Sequence, residues 1–228
     1  MKKIVIAALL LVAFGSGVQA QATFFGRVKI EFEKTVYVHQ LYKEVEPEWY
    51  DRIKERLPVT SITYSEFIGD TATAVYKPGR EVETDSRSWY RPMADKNVVY
   101  TDFTQGKTIS QKPVFEETFL IEDSLAKIAW KLTADTRIIA GYECRKAIGI
   151  MNDSIAVFAF YTEEILVPGG PESIHGLPGM ILGMGVPRLH TTWFATRVEV
   201  NGVNMSPVKP ATKGKKVTRQ SMISQIDK

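Results

Sequence analysis

A period of two runs through this chain. Between Arg27 and Glu33, the apolar Val28, Ile30 and Phe32 alternate with Arg27, Lys29, Glu31 and Glu33. Successive side chains of a strand point to opposite faces, so the segment predicts an antiparallel strand with one packed and one wet face. Asp135-Thr136 leads into a second such stretch. There Ile138, Ala140, Tyr142, Cys144, Ile148 and Ile150 share a parity, and Arg137, Glu143 and Arg145 take the other. A third places Phe194, Thr196, Val198 and Val200 against Arg197 and Glu199. Shorter β-rich runs lie at 62–68, 73–76, 98–103, 108–111, 115–121 and 155–161, with Gly106 and Asn152-Asp153 reading as hairpin turns.

Helix is sparse. Trp49, Ile53 and Leu57 fall at i, i+4, i+8 behind Pro47, which predicts a helix over 47–57 packing on the sheet. A second short helix is expected over 218–226. With no repeat and no inner boundary, the fold class is mainly β: a single curved antiparallel sheet, half-barrel or sandwich, with one or two short helices. One strand departs from alternation. Ile155 to Tyr161 is apolar on both faces, which fits a central strand covered on both sides or a concave face that holds an apolar ligand.

Residues 1–20 have the build of a signal peptide. Lys2 and Lys3 precede the unbroken apolar run Ile4–Phe14, and Val18-Gln19-Ala20 fits the small-residue cleavage pattern. The run is too short to span a bilayer, and no later segment reaches that length, so no transmembrane segment is expected. Cys144 is the sole cysteine, so a lipid anchor and an internal disulfide are not expected either. Cleavage leaves 208 residues, enough for one domain over 21–206 followed by a basic linker and short helix over 207–228. In that product 27 basic residues face 26 acidic ones. Such a balance gives no reason to expect a nucleic-acid or anionic-membrane partner. Lys209, Lys213, Lys215, Lys216 and Arg219 form a locally basic tail, read either as a solvated linker or as a dock for an acidic partner.

The most distinctive segment runs from Pro168 to Gly185. Pro178 fixes its own φ and pushes Leu177 towards an extended conformation, after which Gly179 can supply the positive φ of a type II turn. Gly176 permits a close approach of backbone to a neighbour, Gly170-Pro171 makes an earlier corner, and Leu177, Met180, Ile181 and Leu182 are core anchors. The hexapeptide Gly176-Leu177-Pro178-Gly179-Met180-Ile181 is similar to the one for which the GLPGLI family is named. The segment Gly141-Tyr142-Glu143-Cys144-Arg145-Lys146-Ala147 resembles another block of that family. The resemblance implies an exported protein of a two-membrane bacterium, with a fold similar to periplasmic lipoprotein carriers. It also implies a non-enzymatic accessory role at the cell envelope, with a TonB-dependent outer-membrane receptor as partner.

Chemistry-bearing constellations are few. There is no Gly-x-Ser-x-Gly, Cys144 sits mid-strand with apolar parity, and Glu163-Glu164 point to opposite faces. No catalytic residue and no cofactor is assigned. His175, Met180, Met184 and His190 crowd the motif and form a soft donor set for Cu(I), against which stands packing of Met180 in a core position. Transport of an apolar ligand or lipid on a concave face, copper binding and an uncharacterised hydrolase are the alternative functions.

Overall fold

The computed structural model describes residues 23–82, 90, 94–151 and 154–226. The expected signal peptide and the turn at Asn152-Asp153 lie outside them. The strands are β1 (Arg27–Val36), β2 (Ser61–Asp70), β3 (Thr73–Pro78), β4 (Val98–Asp102), β5 (Lys107–Val114), β6 (Glu117–Ser124), β7 (Ala129–Ile139), β8 (Tyr142–Met151), β9 (Ile155–Thr162), β10 (Met180–Val186), β11 (Thr191–Glu199) and β12 (Lys215–Val217). The helices are α1 (Val38–Val45), α2 (Pro47–Ile53) and α3 (Arg219–Ile226).

All twelve strands join one open sheet, in the order β12-β6-β5-β4-β3-β2-β1-β11-β10-β9-β8-β7. Two antiparallel meanders, β2–β6 and β7–β11, are joined side by side through β1. Among the described strands β12 alone pairs in parallel, with β6, and an isolated parallel bridge joins Phe25 to Ile165. The alternation read for β1 holds: Val28, Ile30 and Phe32 are fully buried. The opposite face carries an ion-pair ladder in which Glu66 meets Lys29 and Lys77, each at 3.0 Å. The sheet is strongly curved, since β5 and β10, six places apart in the strand order, line one recess.

Three sequence expectations are revised by local geometry. The second alternating stretch is a hairpin, β7–β8, because Ala140 and Gly141 both take positive φ (48° and 89°) in a two-residue turn that leaves the parity count unbroken. Along β8 the buried set changes parity, so Cys144 and Ala147 face the core while Ile148 and Ile150 are exposed. On β11 a bulge at Thr196 does the same: Trp193 and Ala195 are buried, and Phe194 lies on the other face. The helix expected over 47–57 is α2, which ends at Ile53 and passes into a 3₁₀ turn over Lys54–Arg56, and a further helix, α1, precedes it at Val38–Val45. Trp49 points to solvent, and Leu57 carries the packing instead.

The doubly apolar β9 is buried on one face through Val157, Ala159 and Tyr161. On the other, Phe158 and Phe160 are half-buried and lie edge-to-face, 6.1 Å apart. Gly183 and Gly185 on β10 leave room for these rings. A Cβ on Gly185 would stand 2.3 Å from Phe158, and one on Gly183 would stand 2.7 Å from Phe194. Arg137 caps the cluster, its guanidinium 4.7 Å from the Phe194 centroid. Within 207–228, Lys215 reaches towards Glu117 at 3.9 Å, and Arg219 pairs with Asp123 at 2.9 Å beside β6.

Candidate functional site

The inward parity of β1 does not stop at Phe32. It continues to Lys34, a charged residue with only 6% of its surface exposed. Opposite Lys34 in the β1–β11 register stands Trp193, and the ammonium lies 5.5 Å from the indole ring. Both line a recess of about 450 Å³ on the concave side of the sheet. Its walls are mainly aliphatic: Val36, Leu41, Val99, Ile128, Met184 and Val186.

The segment between β9 and β10 brings a carboxyl to the same place. Ile181 N–H donates to Gly169 O at 2.9 Å, and a Cβ on Gly170 would stand 2.9 Å from the Ile181 Cβ, so the chain is pinned tightly to β10. It then turns through Pro171–Ser173, where Glu172 and Ser173 hold φ of 54° and 69°. Left-handed backbone at two consecutive non-glycine residues is sparsely populated and costs about 1–3 kcal/mol at each. Glu172 is half-buried as a residue, but its carboxyl is enclosed. Oε2 accepts a hydrogen bond from Asn97 Nδ2 at 3.3 Å. Oε1 is buried and has no hydrogen-bond partner among the described residues.

Burial pushes the Glu172 carboxyl above the usual carboxylate range, opposed by the positive charges of Lys34 and Lys112 and by the Asn97 hydrogen bond. Burial pushes Lys34 below the usual lysine value, opposed by Glu172 and Asp95. The two groups are thus driven towards their neutral forms, the state in which each both donates and accepts hydrogen bonds. Nearby, Trp193 Nε1 donates to the Tyr76 hydroxyl at 3.2 Å. A strained loop delivering a buried carboxyl to an apolar recess is a ligand-site arrangement.

Neither Lys34 nor Glu172 is among the site residues expected from the sequence, although both line this recess. Lys34 was legible as a charge at an inward position flanked by Phe32 and Val36. Glu172 carries no sequence signal of burial, since Gly-Pro-Glu-Ser reads as an ordinary exposed corner.

The motif residues lie around this site as scaffold. Gly179 has φ 137°, and its N–H donates to Leu177 O at 2.8 Å, closing a γ-turn on Pro178 in place of the type II turn expected. Gly176 has φ 95° and lies under Trp130, whose Nε1 donates to His175 O at 2.9 Å. Leu177, Met180, Ile181 and Pro171 are buried, as is Gly170. Gly141 forms the β7–β8 turn, and Tyr142 is half-buried beside it. Cys144 is fully buried, and burial pushes its thiol up to about 12.

The soft-metal set is dispersed into separate roles. Met180 and Met184 are core residues, His175 Nδ1 lies 3.1 Å from Ser173 O, and His190 Nε2 pairs with Glu44. No cluster of three or more His, Cys, Asp or Glu side chains suited to a metal occurs among the described residues.

The family model for the N-glycanase peptide, N-terminal domain, matches residues 94–222, more than half of the chain. The chain belongs to that family. The match takes in β4–β12 and the Glu172 loop. Two solved structures of PNGF-II, in C2 and P21 crystal forms, share the fold with TM-scores of 0.55 at 16% identity. They cover 89% of this chain, which in turn spans only 33% and 34% of theirs, about a third of their length. No curated protein matches the chain.

These findings overturn the GLPGLI reading and what it implied. The matched family takes in the whole of the 130–182 stretch on which that resemblance rests. Physically, the hexapeptide records a steric need: a proline-centred γ-turn, and a glycine seated where no side chain fits. The envelope accessory role beside a TonB-dependent receptor falls with it. So do the alternatives of lipid carriage and copper binding.

Proposed function

We propose that this chain engages glycoprotein substrate for N-glycanase action and has no hydrolytic centre of its own. The observation that carries the reading is the match of residues 94–222 to the N-terminal domain of an N-glycanase. The recess supports it, for it combines mainly apolar walls with a few polar groups, Lys34, Asn97, Lys112 and Glu172 among them, the composition of a binding site. A hydrolytic centre of the nucleophile–base kind is not evident in these groups. The single thiol is sealed in the core with its pKa raised, the opposite of an activated nucleophile. Export belongs to the same reading and is supported by the signal-like pattern of residues 2–20.

The test is to incubate the purified chain with a denatured glycoprotein bearing N-glycans, measuring binding by calorimetry and glycan release by mass spectrometry. Binding without release is expected. Glycan release by the chain alone would overturn the non-hydrolytic part, and absence of binding would overturn the whole.

A further inference from the structure

We infer that the recess beside Glu172 takes an apolar side chain of an extended polypeptide, with a main-chain N–H of that polypeptide donating to the Glu172 carboxyl. The inference rests on the proposed glycoprotein reading and names which part of such a substrate the site grips.

The lining argues against a sugar. Carbohydrate sites are built from polar planar side chains and an open aromatic face on which a sugar ring stacks. Here the walls are mainly apolar, with Val36, Val99, Ile128 and Val186 among them; the polar planar members Asn97 and Arg219 are engaged by Glu172 and Asp123, and the Tyr90 ring is buried. The indole of Trp193 is 5% exposed and already faces the Lys34 ammonium. An enclosure of about 450 Å³ walled in this way gains by accepting an apolar group, which leaves water at roughly 25 cal/mol per Å² buried. Leucine- or phenylalanine-sized side chains fit that volume.

The polar floor sets the second requirement. Glu172 Oε1 lacks a donor, and a buried polar atom without a partner costs about 1–3 kcal/mol. Torsion about the last side-chain bond of a glutamate is broad, so either oxygen can be turned towards an incoming group. Each non-proline residue of a polypeptide carries one N–H, placed one residue-length from its neighbours' side chains. An extended peptide therefore supplies both the apolar filling and the missing donor, whereas a hydrocarbon supplies only the first. The loop stays poised for this because Ile181 and Ile174 anchor it through main-chain bonds to Gly169 and Pro171.

The experiment measures fluorescence anisotropy of a labelled, non-glycosylated extended peptide with a central Leu-Phe pair, titrated with the full chain. A second peptide carries Gly-Ser at the centre, and free N-glycan serves as competitor. The Leu-Phe peptide should bind about tenfold more tightly than the Gly-Ser peptide, and free glycan should not displace it. Leu41→Asp, at a half-buried wall position on α1, should weaken binding by a similar factor while the protein melts as a folded domain. Glu172→Leu should weaken it about tenfold, and Glu172→Gln, which keeps an acceptor, should restore it. Equal binding of both peptides, displacement by free glycan, or indifference to Leu41→Asp and Glu172→Leu would overturn the inference. Should a glycopeptide bind while neither bare peptide does, the recess inference falls and the glycoprotein reading stands. If the glycopeptide also fails to bind, both fall.

Discussion

The carbonyl oxygen of Thr162 lies 2.1 Å from the point where a Cβ on Gly179 would stand. Thr162 ends β9 and Gly179 precedes β10, so the contact clamps the two ends of the Glu172 loop together. Gly179 also holds φ 137°, outside the range of L-side chains. Gly179→Ala therefore meets main chain that cannot swing aside and adds left-handed strain. It should cost about 2–4 kcal/mol. Gly176→Ala, at φ 95° but with its nearest neighbour 3.4 Å away, should cost about 1 kcal/mol. Urea denaturation of the two variants checks the difference, and equal losses would contradict the clamp.

A glycine in regular strand gives a milder outcome. Gly185→Ala would place its Cβ 2.3 Å from the tip of the Phe158 ring. That ring is half-buried on the outer face and can rotate away, so the loss should be about 1 kcal/mol. Phe158→Leu in the same chain should recover most of it, because the clash is with ring atoms beyond Cγ. A double-mutant cycle measures the coupling, and strictly additive losses would refute the assigned contact.

The sheet was legible where burial falls on one face without interruption, as on β1, where Val28, Ile30 and Phe32 all face in. It was misread where geometry shifts parity without changing composition. The Ala140-Gly141 turn and the bulge at Thr196 each leave an apolar alternation that looks continuous in sequence. The turn-forming glycines of the motif were legible because φ and sterics are local properties. The meeting of Lys34 and Glu172 in one recess was not, since it brings together residues 138 positions apart through the curvature of the whole sheet. Kinship was misjudged for a related reason: a Pro-Gly turn under steric compulsion recurs wherever that geometry is needed.

Cys144 provides a direct reading of core opening. Its Sγ lies 3.6 Å from Tyr142 O, it has no exposed surface, and burial pushes the thiol up to about 12. Only the thiolate reacts, so folded protein should label with an iodoacetamide-type reagent at least a hundredfold more slowly than protein in denaturant. The residual rate should follow global unfolding and rise with urea. Rapid labelling in the native state would contradict the placement of β8.

The last expectation concerns pH. Glu172 faces Lys34 and Lys112 as charges, accepts from Asn97, and adds to the rise that burial imposes on the Tyr76 phenol. Burial lifts its own pKa above the unfolded value, so between the two values the folded state holds the proton more firmly than the unfolded chain. The folded state then binds more protons, and stability falls as pH rises from the ordinary carboxylate value through the raised folded one. Glu172→Gln cannot lose a proton and should melt with a flatter dependence over that window. The variant should gain relative to the parent chain as pH rises above the ordinary carboxylate value. Lys34 contributes with the opposite sign: its depressed folded pKa makes stability rise with pH on approach to the normal lysine value, so the two effects separate by direction. Thermal melts of both chains across the range decide the matter. Parallel curves would show that the Glu172 carboxyl is solvated in the folded protein, contrary to the enclosure described above.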